Sequence, residues 1–128
     1  MYDASMPDAR AFLPLSPQQF HILLALADGP LHGYGVIRDV EERTAGDLRL
    51  GTGTLYTAVG RLEALGLVEP SGRRPAAKHD DERRKYYRLT PLGRAVLEAE
   101  TARLETLVRH AHRKHILTGG RPAWSRGK

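Results

Sequence analysis

The stretch RLGTGTLYTAVGRLEALGLV, residues 49–68, decides how this chain is read. It opens like a phosphate-binding loop, with Gly51 and Gly53 interleaved by Thr52 and Thr54, and then continues like a helix. The loop reading fails on spacing. A P-loop closes on Gly-Lys-Ser/Thr, and no lysine follows these glycines. A dinucleotide fingerprint needs a third glycine and a buried strand ahead of the first. GTGTLY supplies neither, and the GYG of residues 33–35 fails in the same way.

A helix accounts for the rest. Leu55, Ala58, Val59, Leu62, Leu65 and Gly66 fall on one side at i, i+3, i+4, i+7 spacing, with Thr52 as the expected cap and Gly66 as the stop. The opposite side is unusual: Gly53, Thr57, Gly60 and Ala64, flanked by Thr54, Tyr56 and Arg61. A glycine inside a helix costs about 1 kcal/mol relative to alanine, and a solvated face would normally carry Lys and Glu. Small residues here suit either close packing on another helix of the domain or close approach to an outside partner. The helix N-terminus also offers free N–H groups and a positive dipole end to phosphate.

Towards the N-terminus, Ser16-Pro17-Gln18-Gln19 combines a cap, a proline at the first helical position and a capping-box glutamine. Phe20, Leu23, Leu24 and Ala27 follow at helical spacing until Asp28-Gly29-Pro30. A second helix is expected from Gly33 to Ala45, with Tyr34, Ile37 and Val40 or Glu41 on successive turns and Gly46 as its stop. DLRL, residues 47–50, alternates polar and apolar and suits a very short strand.

Towards the C-terminus, LVEPSG (67–72) and RKYYRL (84–89) read as strands joined by a basic loop, residues 73–83. Tyr87 and Leu89 share the core face of the second strand, and Arg84, Tyr86 and Arg88 the other. Thr90-Pro91 starts a helix carrying Leu92, Ala95, Val96, Ala99, Leu104, Leu107, Val108 and Ala111 up to Gly119-Gly120. Some 26 residues reach roughly 40 Å, more than the three earlier helices can cover, so part of the stripe needs another partner.

The order helix, helix, short strand, helix, strand, basic loop, strand is that of a winged helix-turn-helix. The expected fold is mainly α with a small β-wing and a long C-terminal dimerisation helix. Residues 1–15 read as an N-terminal arm and 16–90 as the DNA-binding domain, with the helix-turn-helix at 33–66 and the wing at 67–89. Residues 91–117 form the dimerisation helix and 118–128 a basic tail.

Composition fits a small soluble domain, with 41% hydrophobic and 27% charged residues among 128. Cysteine is absent, which excludes disulfides, thiol nucleophiles and thiolate metal sites. MYDASMPDAR lacks an apolar signal region, and ILLALA (22–27) is far too short to span a bilayer, so a cytoplasmic protein is expected. Residues 1–72 carry a net charge of −4, residues 73–88 carry +4, residues 89–108 carry −1, and residues 109–128 carry +6. Positive charge confined to two short segments is the footprint of a polyanion-binding surface, or of a solvated loop and a solubilising tail.

HGYGVIRDV, GTGTLYTAVGRLEALGLVE and ERRKYYRLTPLGRAVL resemble, in order and spacing, the motifs of the PadR family of bacterial and archaeal transcriptional regulators. The resemblance spans roughly residues 16–100. It implies a homodimer joined through its C-terminal helix on a palindromic operator, acting mostly as a repressor and often released by a small aromatic ligand or drug. Many relatives have proline after Gly-Thr-Leu-Tyr, where this chain has Thr57. The single C-terminal helix matches the family's short branch.

Thr52, Gly53, Thr54, Tyr56, Thr57 and Arg61 are therefore the expected DNA-contacting residues of the recognition helix. The hydroxyls would reach phosphate or base edges, with capping as the alternative for Thr52. Tyr56 is assigned a phosphate by the resemblance, with a position across the domain surface as the alternative, and Arg61 is assigned an anchoring role. Arg73, Arg74, Lys78, Arg83, Arg84 and Lys85 form the wing's cationic cluster, interrupted by Asp80, Asp81 and Glu82. His32 and Tyr34 either reach a phosphate or, for Tyr34, pack in the core. Leu104, Leu107, Val108 and Ala111 are the expected dimer contacts. His110, His112 and His115 suit a basic helix end better than a metal site, because only His112 and His115 share a face and no carboxylate follows. No cofactor, metal or catalytic constellation is expected. The competing reading is a winged-helix protein-interaction module with non-specific nucleic-acid affinity.

Overall fold

The computed structural model of this chain describes residues 8–72, 85–118 and 121–122. A short 3-10 helix, Ala9–Phe12, precedes α1 (Pro17–Ala25), β1 (Leu31–His32), α2 (Gly33–Arg43) and α3 (Thr52–Ala64). They are followed by β2 (Val68–Ser71), β3 (Tyr86–Leu89), α4 (Pro91–Arg113), β4 (Leu117–Thr118) and β5 (Arg121–Pro122).

Local hydrogen bonds start α1 and α4 where the sequence predicts. Ser16 Oγ accepts from the Gln19 amide at 3.1 Å while Gln19 Oε1 accepts from the Ser16 amide at 3.0 Å, closing the capping box of α1. Thr90 Oγ1 accepts from the Gly93 amide at 2.9 Å and donates to the Gly66 carbonyl at 2.6 Å, so one hydroxyl starts α4 and ties it to the end of α3. Gly66 stops α3 with φ +79°, in the left-handed region glycine adopts without strain.

The core lies where α1, α2, α3 and α4 meet, centred on Ile22, Leu23, Val36, Val40, Leu55, Val59, Leu62, Leu67 and Val96. A three-stranded antiparallel sheet in the order β1-β3-β2 closes one side, with Val68 opposite Leu89 and His32 opposite Tyr86. This arrangement is a winged helix: a helical trio with a β2–β3 hairpin attached to the end of α3.

Several sequence expectations are corrected. Residues 47–50 form no strand; Thr44 Oγ1 accepts from the Leu48 amide at 3.1 Å, turning the chain back on α2. The alternation there reflects Leu50 reaching the core from an irregular segment. The third strand is instead β1, which has only two residues and no local signature. Gly51, not Thr52, caps α3, without a side-chain bond. Tyr34 is not a core residue: α2 buries Gly33, Val36 and Val40, which leaves Tyr34 59% exposed. Leu65 is exposed because it is the C-cap, where the stripe has rotated off the core. Tyr87 is buried as expected, but Tyr86 on the opposite face is buried too, under the ring of His32.

Helix α4 ends at Arg113, short of Gly119-Gly120, which lie outside the described residues. Its 23 residues span about 35 Å. Residues 8–15, within the stretch read as an arm, are docked on α4: Phe12 and Leu13 pack on the core and Leu15 is buried. The Leu15 amide donates at 2.9 Å to Glu100 Oε2, a carboxylate only 1% exposed, while Arg103 donates to the same carboxylate from Nε and, at 3.0 Å, from a terminal nitrogen. The Arg103 bond comes first among the influences that hold Glu100 below the usual carboxylate range, and the Leu15 bond assists while burial opposes.

Candidate nucleic-acid interface

Helix α3 turns its leucine face inward, with Leu55, Val59 and Leu62 buried, and its small-residue face outward. Thr52, Gly53, Thr54, Tyr56, Thr57, Gly60, Arg61 and Ala64 are all exposed. A Cβ added at Gly53 or Gly60 would meet nothing within 4 Å. Among the described residues, then, no helix packs against the glycines of this face. Beside it, Ser16, Gln18 and Gln19 at the start of α1 line a groove of about 480 Å³ against Gly53, Thr54, Thr57 and Arg61. The sequence marks Gln19 only as a capping residue and gives Gln18 no signal at all.

Charge on the helical body is largely neutralised in place. Arg38 pairs with Glu42 at 3.6 Å, Arg43 with Asp39 at 2.8 Å and Arg49 with Glu41 at 3.9 Å. Arg43 also donates to the His21 carbonyl at 3.1 Å, and burial followed by the Arg43 charge lowers the His21 pKa. Among the described residues from 16 to 72, Arg61 is the one cation with no carboxylate partner, and it stands on the outward face of α3.

At the start of α2, His32 Nδ1 accepts from the Gly35 amide at 3.1 Å, so the imidazole caps the helix. The same ring stacks on Tyr34, with centroids 6.4 Å apart and planes at 7°, and the Arg38 guanidinium carbon lies 5.9 Å from the Tyr34 ring centroid. Sequence reasoning noticed both residues but not the cap, since histidine is an uncommon N-cap.

Of the wing cluster, Lys85 is exposed, with Nζ 5.7 Å from the Tyr87 ring centroid; Arg73, Arg74, Lys78, Arg83 and Arg84 lie outside the described residues. Arg88, on β3, is held by Glu69 at 2.8 Å. On α4, Leu104 and Ala111 are half-buried, while Leu107 and Val108 are 47% and 46% exposed and Ile116 is exposed just beyond the helix. Among the described residues no cluster of metal-ligating side chains occurs, and no helix is long and apolar enough to cross a membrane.

The model of the transcriptional regulator PadR-like family matches residues 22–99, from the body of α1 into α4. The chain belongs to this family. It is 36% identical over 91 residues to the transcriptional regulator Rv3488 of Mycobacterium tuberculosis, covering 71% of this chain and 78% of that protein. It is also 44% identical over 82 residues, 64% of its length, to an uncharacterized 37.1 kDa protein of a Streptomyces fradiae transposon, of which the match spans only 21%. Among solved structures, a PadR family transcription regulator from Clostridium difficile superposes with a TM-score of 0.63 at 23% identity, over 77% of this chain and 97% of that one. Bacillus subtilis PadR, solved in complex with operator DNA, superposes with a TM-score of 0.53 at 21% identity, over 63% of this chain and 44% of that one. These two likenesses establish the winged-helix fold.

Proposed function

We propose that this PadR-family regulator is a sequence-specific, double-stranded-DNA-binding repressor that works in the cytoplasm as a homodimer on a palindromic operator. One observation carries the reading: among the described residues the exposed face of α3 is built of glycines and threonines, with open space in front of Gly53 and Gly60 and an arginine without a carboxylate partner, Arg61, beside them. That surface suits insertion into a major groove, where small residues allow approach and hydroxyls can meet base edges.

In this reading Thr54 and Thr57 read bases, Thr52, Tyr56 and Arg61 hold phosphates, and Gly53 admits the backbone. Arg73, Arg74, Lys78, Arg83, Arg84 and Lys85 grip the flanking backbone from the wing. Leu104, Leu107, Val108 and Ala111 pair α4 with its copy, setting recognition helices near one helical turn apart, about 34 Å. The exposure of Leu107 and Val108 supports this use of α4. The family resemblance adds release by a small aromatic effector bound between the subunits.

The test is selection of bound duplexes from a random DNA library at physiological salt. Enrichment of a palindrome with half-sites about ten base pairs apart is the expected outcome. Retention without enrichment would refute specific regulation and point to a protein-interaction module with electrostatic affinity for nucleic acid. Within an enriched site, replacing a wing arginine should weaken all sequences alike and flatten the salt slope by about one, whereas replacing Thr57 should change base preference.

A further inference from the structure

Gly33 opens α2 directly after the His32 cap and is buried. Its φ is not positive, so its backbone would accept alanine. The obstacle is the Tyr56 side chain, whose tip a methyl here would have to displace. A Cβ at this position would collide with the Tyr56 hydroxyl and lie 2.7 Å from Tyr56 Cζ and 3.1 Å from Leu55 Cδ2. The tip of the Tyr56 phenol therefore rests on the bare Cα of Gly33, although 46% of the tyrosine is exposed.

The buried Tyr87 of β3 has its pKa raised, first by burial and then by the charges of Glu63 and Tyr56. Tyr56 reaches from α3 to the start of α2. Gly53 and Gly60 differ in kind, since nothing occupies the space in front of them.

We infer that Gly33 is a positioning residue for Tyr56: its missing side chain holds the phenol at one fixed place on the face that α3 presents to DNA. The inference rests on the proposed function and adds to it a residue outside the recognition helix. A phenol seated against the start of α2 meets a phosphate with less rotamer freedom left to lose.

The test is a double-mutant cycle on the full chain, reading both thermal stability and affinity for the selected duplex. Gly33→Ala and Tyr56→Ala are each expected to weaken binding about tenfold, the scale of one hydrogen bond to a charged group. Gly33→Ala/Tyr56→Ala should bind no worse than Tyr56→Ala alone, because the residue displaced by the new methyl is gone. In the Tyr56→Ala background the Gly33→Ala change should also lower Tm clearly less than in the parent chain, with only the Leu55 contact left to resist it. Independent losses that multiply, or Gly33→Ala binding within twofold of the parent chain, would overturn the inference. If Gly33→Ala alone does not fold, a folded double variant supports the seat and an unfolded one refutes it. A parent chain that selects no duplex refutes the proposed function and with it the DNA role of the seat, while the Tm cycle separately decides whether the seat exists.

Discussion

Gly60→Ala separates a residue kept for the fold from one kept for a partner. Gly60 lies inside α3, is exposed, and stands on the line of Gly53, Thr57 and Ala64. Alanine in a helix interior is favoured over glycine by about 0.8–1 kcal/mol. A Cβ here would meet nothing within 4 Å, so no steric cost offsets that gain. The variant should therefore be more stable by about 0.5–1 kcal/mol, raising Tm by roughly 2–6 °C. On DNA the sign reverses. If this face approaches the duplex closely, the new methyl holds α3 away from the groove and weakens neighbouring contacts, a loss of about tenfold or more, or about 1.4 kcal/mol. Circular-dichroism melts and anisotropy titration of the selected duplex should be run on the same preparation. A higher Tm with unchanged or tighter binding would show that Gly60 does not meet DNA and would undo the argument from small residues. A lower Tm would show that the space in front of Gly60 is not open.

Gly93→Ala should be severe, because its methyl would run into the Leu67 carbonyl oxygen with the carbonyl carbon 2.9 Å away, and backbone cannot swing aside; a loss of about 1–3 kcal/mol or more is expected in urea unfolding. Glu100→Gln keeps the volume but removes the charge shared by Leu15 and Arg103, and should cost about 1–3 kcal/mol near neutral pH. Because the folded pKa of Glu100 is depressed, its contribution is present above the ordinary carboxylate range and lost as pH falls through the folded value. Melts from neutral pH into acid should accordingly show the gap between variant and parent closing, and a constant gap would contradict the assignment. Leu107→Asp places a charge on the exposed stripe of α4 and should leave the monomer folded while weakening self-association at least about tenfold in sedimentation.

What was legible in the sequence was what local bonds decide. The starts of α1 and α4 depend on Ser16 with Gln19 and on Thr90 with Gly93, pairs three residues apart, and both could be read directly. The stripe of α3 was equally clear, and the same reading exposed its strange outer face. What failed depended on distant partners. β1 exists because Leu31 and His32 pair with Tyr87 and Tyr86 far along the chain, and two residues carry no period of their own. Tyr34 fits a helical stripe, yet the core takes Gly33 and Val36 and turns the tyrosine out. The burial of Glu100 has no local signature, since its tether comes from the Leu15 amide 85 residues earlier. At the candidate interface the residue types were readable but the meaning of each glycine was not. Gly33, Gly53 and Gly60 look alike in sequence and are told apart only by what stands in front of them.

The charge pattern completes the mechanism under the proposed function. On the helical body Arg38, Arg43 and Arg49 each sit beside a carboxylate, so they offer little net field to a polyanion. The positive excess lies in residues 73–88 and 109–128, and the outward face of α3 contributes Arg61 alone. Affinity and sequence discrimination are then supplied by different parts of the molecule. The wing's cations bring non-specific, salt-dependent attraction. An almost uncharged recognition helix can exploit it only where the groove accepts its threonines and glycines. Raising the salt should therefore lower affinity for operator and non-operator duplexes in parallel while leaving their ratio nearly constant, because the contacts that discriminate release few counterions. A recognition helix rich in lysine would bind more tightly and discriminate less, which gives a physical reason for α3 to hold its small, neutral outer face despite the cost of Gly60.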